Sequence, residues 1–98
     1  MELNTSLTAE QAAFAVWLEE KAPYLLSLFD FDLPGFLPEK VEQYLGVASH
    51  GQAIMARFVL GVWRHQDQFD FDFIEAASTL DKKNMKVITD WLQNPLWP

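Results

Sequence analysis

The chain has 98 residues, of which 50 % are apolar and 14 % aromatic. Disordered chains lack such a content, because they cannot bury enough apolar area to offset their ordering entropy, and this length suits a single domain over 1–98. With no cysteine, a disulfide framework, a thiolate nucleophile and a Cys-based zinc site are all excluded.

The formal charge is −7, and it is uneven: residues 1–50 carry eight acids against Lys21 and Lys40, whereas residues 51–98 carry six acids against five bases. Nucleic-acid binding needs clustered Lys and Arg to displace counterions. Only Lys82, Lys83 and Lys86 cluster, so direct binding to nucleic acid or to an anionic membrane is disfavoured. No apolar stretch approaches the roughly 20 residues that span a bilayer, and no basic segment followed by an apolar one opens the chain. The expected setting is the cytoplasm, where the absence of cysteine is ordinary.

In chain order, residues 1–7 are expected to be a flexible start. Thr8-Ala-Glu-Gln11 is then a capping box, in which the Thr hydroxyl and the Gln side chain satisfy backbone N–H groups reciprocally. Phe14, Trp17 and Leu18 follow on one helical face. Pro23 ends this helix or opens the next, and Tyr24–Phe29 fits a short second helix. Leu33-Pro-Gly-Phe-Leu-Pro38 is the clearest loop. Pro38 suits the first position of a helix over Glu39–Leu45, with Gly46 expected to close it.

Ser49-His-Gly-Gln52 is a second capping box, opening the most apolar helix, about 50–66. Ala53, Ile54, Met55, Ala56, Phe58, Val59, Leu60, Val62 and Trp63 cover most of its circumference, which predicts a central helix packed on several sides. His50, Arg57 and Arg64 form its one polar stripe. Asp72-Phe-Ile-Glu75 is a third capping box, opening a short helix to about Ser78. Ser78 or Asp81 caps a last helix reaching Gln93, with Met85, Ile88 and Leu92 expected inside, and residues 94–98 form an extended tail. Only Phe69–Phe73 alternates like a strand, too isolated to build a sheet. The expected fold is all-α: a compact bundle of five or six short helices around the central one.

Phe-Asp-Phe-Asp occurs at 29–32 and again at 69–72, each copy preceded by a capping box and an apolar–Trp helical pair. One reading is a duplicated helical hairpin with pseudo-two-fold packing. The other, favoured by the poor identity outside the tetrapeptide, is coincidence in a Phe- and Asp-rich chain. For the tetrapeptide itself, the simpler role is Phe anchoring a connection and Asp capping the next helix, as Asp72 can do before Glu75. The sharper role is an acidic-aromatic docking surface, with exposed Phe entering a partner pocket and Asp steering a basic rim. Phe29, Asp30, Phe31 and Asp32 are the better candidates for it, because no helix start follows the first copy.

Catalytic chemistry finds little support. His50 and His65 lie at opposite ends of one helix, roughly 22 Å apart at 1.5 Å per residue, and cannot share a metal. His65 has Asp67 close in sequence, which fits a local hydrogen bond. Ser49 is already used as a cap, Glu19-Glu20 point apart on a helix, and the four glycines form no phosphate cradle. No catalytic, metal or cofactor-binding residue is assigned, and no cofactor is expected. Arg57 stands among apolar residues, where it faces solvent or pairs with an acid of the N-terminal half; the functional alternative is an anion contact shared with Arg64 and His50. Trp97 in Pro-Leu-Trp-Pro98 either folds back on the core or docks to a partner.

These features favour a small, non-catalytic protein–protein interaction or regulatory module with a protein partner, and a homodimer is compatible with the apolar content. The alternative is an acidic inhibitor, a nucleic-acid-mimicking decoy that occupies a basic protein surface.

Overall fold

The computed structural model describes residues 7–32 and 35–98, so the expected flexible start lies, but for Leu7, outside the described residues. The fold is an all-α bundle in which the first helix, α1 (Ala9–Lys21), forms where the sequence marks it. Thr8 Oγ1 accepts from the Gln11 N–H at 3.0 Å, and Gln11 Oε1 accepts from the Thr8 N–H at 3.1 Å. Phe14 and Leu18 of its inner face are buried. Pro23 opens the next element, but as a 3-10 helix over Pro23–Leu28 rather than an α-helix.

The chain then does something the periodicity did not announce. Phe29–Asp30 (β1) pairs antiparallel with Gly35–Phe36 (β2), Phe29 opposite Phe36 and Asp30 opposite Gly35. Two residues per strand are too few for an alternating pattern to register. α2 (Pro38–Val47) starts with Pro38 in its first turn, as expected, but Gly46 does not close it. The helix runs on to an Ala48 cap in extended conformation, so no left-handed residue is required at its end.

α3 (His50–Arg64) is the centre of the molecule. Ser49 Oγ accepts from Gln52 N–H at 3.2 Å and Gln52 Oε1 from Ser49 N–H at 3.0 Å, completing the second capping box. Eight of its residues, from Ala53 to Val62, are buried. It ends two residues earlier than expected, in a Schellman turn: His65 N–H donates to Val62 O and Gln66 N–H to Gly61 O. His65 takes the left-handed position at φ 59°, one that glycine usually fills.

α4 (Phe73–Thr79) is capped by Asp72, whose Oδ1 accepts from Ile74 N–H and Glu75 N–H. The third capping box is therefore only half formed, because the Glu75 side chain leaves the cap for partners on α3. Of the two candidates, Asp81 caps α5 (Lys82–Gln93), while the Ser78 hydroxyl donates back to Glu75 O. The inner face of α5 is Val87, Ile88 and Trp91, whereas Leu92 is exposed; the buried stripe is rotated because Trp91 takes the place facing α3, against Phe58. Residues 94–98 are non-helical, as the two prolines require.

A single core joins these pieces, with Phe14, Leu18, Leu25, Leu28, Ile54, Met55, Leu60 and Ile88 almost fully buried. No helix among the described residues is long and apolar enough to cross a membrane. On the outer surface of the 3-10 helix, burial, with Tyr44 and Asp81 beside it, holds the Tyr24 phenol above its usual pKa, and burial does the same for Tyr44. The Tyr44 hydroxyl is buried without a hydrogen-bond partner among the described residues.

Candidate functional site

The residues singled out by sequence separate into two places. Phe29 is buried, not exposed: it stacks on Phe31 at 5.5 Å and meets Phe14 and Trp63 edge-on. Phe31 is half-buried against the same rings. Neither ring is therefore presented to a partner's pocket, since pairing of β1 with β2 turns this stretch onto α1 and α3. Asp32 is exposed, and its N–H donates to Asp30 Oδ1 at 2.9 Å, a local turn contact rather than a helix cap.

Arg64 belongs to the same end of the molecule. Its Nε donates to Gln68 Oε1 at 2.8 Å and its guanidinium lies 5.9 Å over the Phe36 ring. Phe36 in turn meets Phe69 edge-on at 5.4 Å. The two tetrapeptides are thus bridged, Phe29 to Phe36 across the strand pair and Phe36 to Phe69 by ring contact. Arg64 is consumed in that bridge and does not join Arg57.

Arg57 instead faces α4. Its Nη1 lies 3.9 Å from Glu75 Oε1, while Glu75 Oε2 is 2.7 Å from His50 Nε2. The acid that partners it comes from the second half of the chain and not from the first. Because these groups are about a third exposed or more, such a pair contributes no more than about 1 kcal/mol. What it does is orient Arg57 along one wall of a groove.

That groove has a volume of about 270 Å³; a separate recess of about 490 Å³ lies over Phe36, Val41, Leu45 and Phe69. Phe58 and Val62 of α3 and Trp91 of α5, all buried, form the base of the groove. Phe71 and Phe73, at the entry to α4, and Trp97 of the tail complete the lining. Phe73 and Trp97 are 53 % and 49 % exposed. The rings are interlocked edge to face: Phe71 on Phe73 at 4.9 Å, Trp91 on Trp97 at 5.0 Å, Phe58 on Trp91 at 5.5 Å.

The tail is folded back rather than free. Trp91 Nε1 donates to Leu96 O at 3.0 Å, Leu96 packs on the core, and His65 Nε2 meets the Pro98 backbone oxygen at 3.0 Å. His65 also contacts the Trp97 ring at 5.2 Å. The expected His65–Asp67 bond is not formed, since Asp67 Oδ1 accepts the Phe71 N–H at 2.7 Å. The tail is thus folded back on its own core, with about half of the Trp97 surface still facing water.

Sequence reasoning found Trp97 and Arg57 but missed Phe58, Phe71, Phe73 and Trp91 as one lining. The signal was thin, since Phe71 and Phe73 belonged to an alternating stretch with no visible sheet to join. Among the described residues no group of three His, Cys, Asp or Glu is placed to hold a metal ion. Comparison with protein-family models, with curated proteins and with solved structures finds no match.

Proposed function

We propose that this protein is a non-catalytic protein–protein interaction or regulatory module and that its partner docks in the aromatic groove. The observation that carries this reading is the pair of half-exposed rings, Phe73 and Trp97, in one lining with the buried Phe58, Val62 and Trp91. Apolar area left in water gains about 25 cal/mol per Å² when covered. Aromatic side chains around a desolvated pocket are also the usual anchors of protein interfaces. The setting we expect is the cytoplasm, because a cysteine-free chain draws nothing from an oxidising compartment.

Cross-linked capture from the native cell with two sets of variants tests this. Phe73→Ala/Trp97→Ala is expected to lose the partner, whereas reversal of Glu19, Glu20, Glu39 and Glu42, all exposed on α1 and α2, is expected to keep it. The opposite pattern supports the acidic decoy instead. Robust turnover on generic hydrolase substrates would overturn the non-catalytic reading.

A further inference from the structure

The groove is apolar, but its surroundings are not neutral. Between the end of α3 and the start of α5, residues 65–81 carry Asp67, Asp70, Asp72, Glu75 and Asp81 and not one Lys or Arg. Asp67 lines the groove itself, fixed there by the Phe71 N–H at 2.7 Å. Asp70 and Asp72 flank Phe71 in sequence and are exposed. The single cation of the lining, Arg57, already faces Glu75. Acids therefore dominate the segment that brings Phe71 and Phe73 to the groove, on a chain whose total is −7.

We propose, resting on the reading of the groove as a docking site, that its occupant is a short partner segment presenting one bulky apolar side chain flanked by Lys or Arg. The apolar side chain fills the space between Phe73 and Trp97, and its basic neighbours meet Asp67 and the acids beside Phe71. Complementary potential of this kind raises the association rate and rejects acidic competitors. A second copy of this chain fits poorly there. Each copy brings −7, so the two would repel.

Fluorescence anisotropy with three labelled hexapeptides tests the proposal: Lys-Lys-Leu-Phe-Lys-Lys, Glu-Glu-Leu-Phe-Glu-Glu and Lys-Lys-Ser-Ser-Lys-Lys. The first is expected to bind at least about tenfold more tightly than the other two. Raising salt from about 50 to about 300 mM is expected to weaken it several-fold, by screening these acids. Asp67→Asn/Asp70→Asn, which leaves Oδ1 of residue 67 able to accept from Phe71, is expected to weaken binding and flatten that salt dependence. Phe73→Ala/Trp97→Ala is expected to abolish it, with circular dichroism melts confirming that both variants fold. Equal binding of the acidic peptide, lost in Phe73→Ala/Trp97→Ala, would overturn the basic-partner inference and leave the groove reading standing. Equal binding of the serine peptide, or binding of the first peptide that survives loss of both rings, would overturn both. Failure of all three peptides to bind would also overturn the inference.

Discussion

The same four residues, Phe-Asp-Phe-Asp, occupy two unlike places in this molecule. At 29–32 they enter a strand pair and turn inward, with Phe29 at 6 % exposure inside a cluster of Phe14, Phe31 and Trp63. At 69–72 they form a turn that passes through a left-handed residue, Asp70 at φ 62°, and ends as the cap of α4. The flanks decide. Leu33-Pro-Gly35 after the first copy cannot continue as helix, whereas Phe73-Ile-Glu75 after the second can. Identical side chains thus become core in one context and a turn beside a groove in the other.

Deleting rings tests that contrast most strongly. Phe29→Ala is expected to cost about 3–5 kcal/mol, while Phe69→Ala, half-buried against Phe36, is expected to cost about 1–2 kcal/mol. Urea titration of both variants measures the gap, and equal losses would erase the distinction between core and surface copies. The aspartates should invert the ranking. Asp72→Ala removes a cap that accepts two N–H groups and is expected to cost about 1 kcal/mol; Asp32→Ala is expected to stay within about 0.5 kcal/mol.

Backbone geometry supplies a finer probe. Asp70→Gly is expected to be neutral or to stabilise by up to about 1 kcal/mol, since glycine carries no penalty at positive φ. The same change at Asp30, in a strand, is expected to destabilise by about 0.5–1 kcal/mol. Thermal melts that moved both variants the same way would contradict the assigned conformations. The smallest effect is alkaline and confined to the first region. Tyr24, in the element leading to Phe29, and Tyr44 both have raised phenol pKa values. The folded state thus retains protons that the unfolded chain releases from about pH 10. Stability is full below that pH and falls as pH rises towards the folded values. Tyr24→Phe/Tyr44→Phe is expected to flatten this limb.

Local chemistry made the helix starts readable. Thr8, Ser49, Asp72 and Asp81 each cap with atoms no more than three residues away, so sequence alone carries the information. The central helix was legible too, because nine apolar residues in eleven leave few ways to face water. What escaped was decided at long range. Glu75 left its capping role for His50 and Arg57, and Phe29 found a partner in Phe36 across a turn. The groove needed Phe58, Phe71, Trp91 and Trp97, drawn from four separate segments, to arrive at one place. No spacing rule within a segment encodes such a meeting.

The contact between His65 and the Pro98 oxygen joins residues 33 positions apart, so α4 and α5 sit inside a loop clasped at both ends. Closing a ring of that size sacrifices chain entropy, which rises only slowly with length. Lifting Trp97 from the groove therefore removes the side-chain contacts of His65, the residue that closes α3, while leaving the backbone bonds of its Schellman turn in place.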